Sequence, residues 1–216
     1  MKKYQYLFFD LDGTLTNPGE GITNSVAYAL DKFGISVSDR TALYPFIGPP
    51  LIDSFMKLYG FSHEDAERAV AYYREYFRDR GIFENLVYEG IHDALTSLKH
   101  AGKTLVIATS KPEPFAKRIV EHFGLSEYFT LVAGASFDET RSEKWDVIEY
   151  AIHTLKLTNR KEIVMIGDRK HDIIGAKKTD LDSIGVLWGY GDREELTTAG
   201  ADMIFEKVEQ LTTLTK

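Results

Sequence analysis

The sequence predicts an α/β fold: a doubly wound, Rossmann-like parallel sheet that carries an inserted helical cap. Three observations predict it. Short apolar runs recur along the chain, as in strands buried on both faces of a parallel sheet. Stretches of helical periodicity separate them, which is the alternation of a doubly wound sheet. One segment breaks the rhythm: 17–85 has no convincing strand and is too long for a single crossover helix.

The first run is Tyr6-Leu7-Phe8-Phe9, ended by Asp10-Leu11-Asp12 with Gly13 as the turn. Helical spacing then links Ile22, Val26, Ala29, Leu30 and Phe33, and Gly34 reads as the stop. Ile52, Phe55, Met56 and Tyr59 repeat the pattern, closed by Gly60, and Ala66 to Phe77 gives a third helix. Between the first two helices, Phe46-Ile47-Gly48-Pro49-Pro50-Leu51 reads as a rigid turn. Gly19, Gly21 and Gly90 lie near the ends of the helical segment and are expected as hinges. Ile91, Leu95 and Leu98 form the next helical stripe, and Thr104 to Ala108 the second strand run. Phe115, Ile119, Val120 and Phe123 lead to a short third run, Leu131 to Ala133. Val147, Ile148, Ala151, Ile152 and Leu155 lead to the fourth, Ile163 to Ile166. Ser183 to Leu187 is the fifth run and Met203 to Phe205 a sixth. The expected division is 1–16 with 86–216 for the sheet core, and 17–85 for the cap.

Composition narrows the function. With 44% hydrophobic and 27% charged residues among 216, the chain can fill a globular core. A net charge of −7 without a basic block argues against a nucleic acid polymer or an anionic membrane as partner. No cysteine is present, which excludes thiolate metal sites and disulfides. No apolar stretch approaches the ~18 residues of a membrane span, and the first apolar run is too short for a signal peptide. A cytoplasmic protein, monomeric or homodimeric, is the expectation.

The chemistry-bearing residues follow the strand runs, where ligands bind in an open α/β sheet. Side chains at i and i+2 of a strand share a face, so Asp10 and Asp12 point together into one pocket. Two such charges are costly unless a cation or a shared proton offsets them. Asp-x-Asp-Gly alone is also an ordinary turn motif. Other strand ends weigh against that reading. Thr109, Ser110 and Lys111 follow the second run, and Gly167, Asp168 and Asp172 the fourth. Arg141 and Lys144 precede the Val147 helix. Taken singly, Thr109 suits a helix N-cap, Lys144 a solvated surface, and Asp172 a helix first turn.

Together these motifs resemble the haloacid dehalogenase superfamily, and within it the phosphoglycolate phosphatase-like and 5'-nucleotidase-like phosphatases. Asp10 to Thr14 matches the family's Asp-x-Asp-Gly-Thr, Thr109 its strand-ending Ser or Thr, Lys144 its helix-starting Lys, and Gly167-Asp168 with Asp172 its Gly-Asp-x-x-x-Asp. Arg141 stands close enough to Lys144 to compete for the third motif. The resemblance implies Mg²⁺ held by Asp10, the Asp12 carbonyl, Asp168 and Asp172, the last directly or through water. It implies Asp10 as a nucleophile that forms an aspartyl-phosphate, and Asp12 as general acid and then base. Thr109 would hydrogen-bond the phosphoryl group, with Gly13, Thr14, Ser110 and Lys111 beside the substrate. Lys144 would neutralise charge and orient Asp10. The implied activity is Mg²⁺-dependent hydrolysis of a small phosphorylated metabolite. On the same resemblance, the Gly48-Pro49 turn of the cap would select the substrate, a nucleoside 5'-monophosphate ahead of phosphoglycolate. Pyrophosphate, a β-phosphoglucomutase-like transfer and a catalytically idle binding module are the alternatives.

Overall fold

A computed structural model describes residues 3–137 and 140–216. The chain packs as two compact units, one running through Thr16 and resuming over Val87–Lys216, the other Asn17–Leu86.

The first unit is built on a six-stranded sheet. Its first strand, β1 (Tyr6–Phe9), is followed by a two-residue strand, β2 (Thr16–Asn17), where the chain leaves the unit. In the second unit, α1 (Gly19–Asp31), α2 (Leu51–Tyr59) and α3 (His63–Tyr76) carry the apolar stripes, and a π-turn at Phe77–Gly81 ends α3. The return strand β3 (Leu86–Val87) pairs with β2. These two short strands are absent from the sequence expectation, because two residues cannot show a period. The first unit continues with α4 (Ile91–His100), β4 (Thr104–Pro112), α5 (Glu113–His122), β5 (Phe129–Ala135) and α6 (Lys144–Thr154). It closes with β6 (Ile163–Gly167), α7 (Lys170–Lys178), β7 (Asp182–Val186), α8 (Arg193–Ala199) and β8 (Met203–Phe205).

The strand order is β5-β4-β1-β6-β7-β8, with each neighbouring pair parallel. The doubly wound fold is therefore the one observed, and β1 lies inside it between β4 and β6. Phe8, Val106 and Met165 sit side by side in register on these three strands, fully buried, and pack with Val147, Ile148 and Ala151 of α6. Burying side chains of this kind contributes roughly 1.5–3 kcal/mol each. That packing fixes the strand ends from which the polar loops emerge. None of the described helices is long and apolar enough to cross a membrane.

In the second unit, aromatic rings form the core: Phe46 packs on Phe55, and Phe55 stacks on Phe61 at 5.8 Å. Gly19 and Gly21 lie buried inside α1 rather than in a hinge. Gly21 donates its N–H to the Glu84 carbonyl at 2.9 Å, and a Cβ at this position would run into the Gly81 carbonyl. Its lack of a side chain lets α1 lie against the π-turn. Gly21→Ala is expected to lower stability by about 2 kcal/mol, the usual scale of an overpacked crossing. A thermal melt checks this, and an unchanged Tm would contradict the close approach.

Candidate active site

Every strand that brings a polar loop to the site ends on the same edge of the sheet. Asp10 follows β1, and its backbone N–H donates to the Ile166 carbonyl of β6 at 2.9 Å. Gly13 takes φ of +82°, which lets the chain turn back, and its N–H donates to the Thr16 carbonyl at 2.7 Å. A Cβ on Gly13 would overlap the Asp168 carboxylate, so the turn also makes room for that group.

Lys144 is the first residue of α6 and is 3% exposed. Its ammonium lies 3.0 Å from Asp10 Oδ1 and 2.8 Å from Asp172 Oδ1, and donates to the Ala108 carbonyl at 3.0 Å. Burial alone would lower its pKa, but the charges of Asp10 and Asp172 more than offset this and hold it raised. Arg141, the competing cation, is placed elsewhere. Its guanidinium donates to Glu113 and to the Gly134 carbonyl and lies over the Tyr150 ring.

Asp168 and Asp172 are buried on the loop after β6 and on the first turn of α7. Asp168 Oδ2 accepts the Tyr190 N–H at 2.8 Å, and its Oδ1 accepts the Thr14 hydroxyl at 3.3 Å. Asp172 Oδ2 accepts the Arg169 N–H at 3.0 Å. Burial, then the neighbouring Asp172 and Asp10 charges, push the Asp168 carboxyl well up. Burial also pushes Asp172 up, to about 6, against the pull of Lys144. One oxygen each of Asp10, Asp168 and Asp172 lies within 4.8 Å of the others.

Asp12 is half-buried beside them and pairs with a second ammonium, that of Lys111. Burial raises its pKa and Lys111 opposes the rise. With all four ionised, as metal ligation requires, the carboxylates would face two ammonium groups and leave two negative charges uncompensated. Three converging carboxylate oxygens with a deficit of two charges suit one hard divalent cation.

Thr109 is buried within β4, not at a helix N-cap, and its hydroxyl accepts the Lys111 N–H at 3.2 Å. Ser110, between them, is half-buried. Gly48 and Pro49 belong to the second unit, on the turn before α2, with Gly48 exposed. Sequence reading missed Tyr88, Trp188 and Tyr190. The Tyr88 N–H donates to the Leu15 carbonyl at 3.1 Å, and its phenol is raised by burial and then by the Asp168 and Asp12 charges. Trp188 donates its indole N–H to the Thr14 carbonyl at 2.9 Å. For Trp188 and Tyr190 a signal was present, since they follow β7 at a strand's carboxyl end.

The family described as haloacid dehalogenase-like hydrolase matches residues 7–186. A 5'-nucleotidase of Pseudomonas aeruginosa is 44% identical over 194 residues, which are 90% of this chain and 87% of that protein. The tyrosine-protein kinase PtkA of Mycobacterium tuberculosis is 40% identical over 187 residues, 87% of this chain, which spans 63% of that protein's length. Among solved structures, one described as a predicted phosphatase from Clostridium acetobutylicum superposes with a TM-score of 0.93 at 51% identity, covering 98% of this chain and 97% of its own.

Proposed function

The chain belongs to the haloacid dehalogenase-like hydrolases and is a phosphatase of that family, and we propose that it hydrolyses a small phosphomonoester in a Mg²⁺-dependent reaction through an aspartyl-phosphate. The observation that carries the reading is the convergence of Asp10, Asp168 and Asp172 on one another, with the buried Lys144 ammonium against two of them. An ordinary turn or surface cluster has no need of that arrangement.

Asp10 is the nucleophile. Its carboxylate attacks phosphorus as the ester P–O bond breaks, and Asp12 gives its proton to the leaving oxygen. Water then attacks the phosphorus of the aspartyl-phosphate and loses a proton to Asp12. Inorganic phosphate leaves and Asp10 is restored. Lys144 holds Asp10 by one oxygen and stabilises charge that grows on the phosphoryl group. Thr109 offers a hydroxyl at the end of β4 for a phosphoryl oxygen. Mg²⁺ bound by Asp10, Asp168 and Asp172, with the Asp12 carbonyl, would supply the positive charge that lets a carboxylate approach a phosphate dianion.

A nucleoside 5'-monophosphate is the first-choice substrate. The 44% identity to a 5'-nucleotidase across most of both chains supports it. Transfer of the phosphoryl group to an acceptor other than water is the second reading, supported by the similarity to a protein named a kinase. The second unit, Asn17–Leu86, is proposed as the cap that selects the substrate, with Gly48 and Pro49 on its selecting turn.

Phosphate release from nucleoside monophosphates, phosphoglycolate, pyrophosphate and sugar phosphates, with EDTA or with Mg²⁺, tests the reading. Mg²⁺-dependent release is expected, with the highest kcat/KM for a nucleoside monophosphate. No release from any substrate would remove the hydrolase reading. Mg²⁺ is also expected to raise Tm, more at pH 7 than at pH 5. The Asp172 carboxyl, raised to about 6, holds a proton at the lower pH that competes with the metal, and burial pushes Asp168 in the same direction. Without metal the same shifts act the other way: their stabilising contribution is full below the unfolded carboxylate pKa of about 4 and is lost as pH rises through about 6 for Asp172. Equal Tm gains at both pH values would argue against metal at these carboxylates.

A further inference from the structure

Resting on the reading that Asp12 carries the leaving group's proton, we propose that Lys111 is the positioning residue that fixes the Asp12 carboxylate for this transfer. The family resemblance places Lys111 beside the substrate. In the structure it is neither on the surface nor open to solvent: its side chain is 7% exposed and that of Asp12 is 16%.

The ammonium of Lys111 meets Asp12 Oδ2, across a sequence separation of 99 residues. The other oxygen, Oδ1, is buried and accepts no hydrogen bond from any described residue. One oxygen is therefore held while its partner is left for the proton. The two ammonium groups of the site divide three of its four carboxylates between them. Lys144 takes Asp10 and Asp172, and Lys111 takes Asp12. A buried ion pair is a weak stability device, because desolvation of both charges offsets most of their attraction. Orientation is what such a pair supplies to a carboxylate that must line up with a leaving oxygen.

The loop that carries Lys111 is itself fixed. Its backbone N–H donates to the Thr109 hydroxyl at 3.2 Å, so the phosphoryl-side hydroxyl and the Asp12 anchor are one hydrogen-bonded turn. Pro112 follows at once and ends the strand, in register with Ala135 of β5. Ser110 and Lys111 bulge out of the ladder between Thr109, opposite Gly134, and Pro112, so the lysine leaves a bulge held on both sides by β5.

The test uses the Mg²⁺-loaded protein and two general probes, phenyl phosphate and p-nitrophenyl phosphate. Phenolate needs a proton as it leaves and p-nitrophenolate does not. kcat/KM reports the steps through loss of that group. Lys111→Met is expected to lower kcat/KM by about 30-fold on phenyl phosphate and by less than about threefold on p-nitrophenyl phosphate, within the range of a general acid's contribution. Lys111→Arg is expected to restore part of the loss, and Lys111→Met, which leaves Asp12 without its ammonium, also to lower Tm. In an Asp12→Asn background, Lys111→Met is expected to add no further selective loss, since its effect runs through Asp12. Equal losses on both esters, with raised KM, would make Lys111 a phosphate contact and overturn the proposal. So would losses that multiply in the double variant. If Lys111→Met does not fold, Lys111→Gln enters the same cycle with the same outcomes. Absence of Mg²⁺-dependent release by the unaltered protein would instead strike the phosphatase reading, a different result.

Discussion

Asp10→Asn is expected to abolish turnover, by on the order of 10⁴-fold or more, while the protein stays folded. The amide is nearly isosteric with the carboxylate. Its oxygen can still accept the Leu11 N–H, now at 2.7 Å, and face Lys144, now at 3.0 Å. Lys144 also keeps Asp172 and the Ala108 carbonyl, so no buried charge is orphaned by the change. The nucleophile alone is lost, because an amide attacks phosphorus poorly. Phosphate release and a thermal melt on the same preparation separate the two effects. Retained activity within about tenfold of the parent would remove Asp10 as nucleophile and with it the aspartyl-phosphate. Lost activity with a collapsed Tm would make Asp10 a structural anchor instead.

Lys144→Met is expected to be the most destabilising single change in the site. Methionine fills the stem's volume but leaves Asp10 and Asp172 without their shared ammonium, beside a buried Asp168. Removing one partner of a buried ion pair costs about 3–5 kcal/mol. The sign with pH follows. Without the ammonium, the already raised Asp172 carboxyl loses the charge that opposes the rise, and a raised folded pKa contributes stability that is lost as pH rises. The metal-free variant should therefore lose more Tm at pH 7 than at pH 5. Added Mg²⁺ should return part of the stability by neutralising the same oxygens, but little of the activity, because the metal does not replace a donor on the phosphoryl side. An unchanged Tm at pH 7 in EDTA would mean that the carboxylates are compensated by some other group.

The sheet was legible because its strands are short apolar runs with clear ends. Tyr6–Phe9 and Met203–Phe205 occupy the residues their runs suggested. β4 continues to Pro112, past the apolar run that ends at Ala108. Its last residues are polar because they bear the site's groups, so the pattern that reveals a strand fades where the strand becomes useful. The helical segment was legible in its three stripes, but Gly21 was misread as a hinge. Sequence shows that a glycine is present, not which backbone lies against it. For the site, spacing alone could place Asp10 and Asp12 on one face. It could not choose between Lys144 and Arg141, three residues apart, because the choice depends on which way α6 begins. Nor could it pair Lys111 with Asp12, since that contact joins two loops far apart in the chain.

The segment Asn17–Leu86 leaves the sheet unit on β2 and returns on β3, and those two strands are hydrogen-bonded neighbours. An insertion whose two ends meet side by side closes a loop of nearly zero span in its host, so its length and content are free to vary at little entropic cost. All four carboxylates and both lysines of the cluster belong to the host. If the segment selects the substrate, as proposed, change in one part of the gene would retune what is recognised while the proposed reacting groups inherit their positions untouched, and new specificities would arise by grafting rather than by redesign.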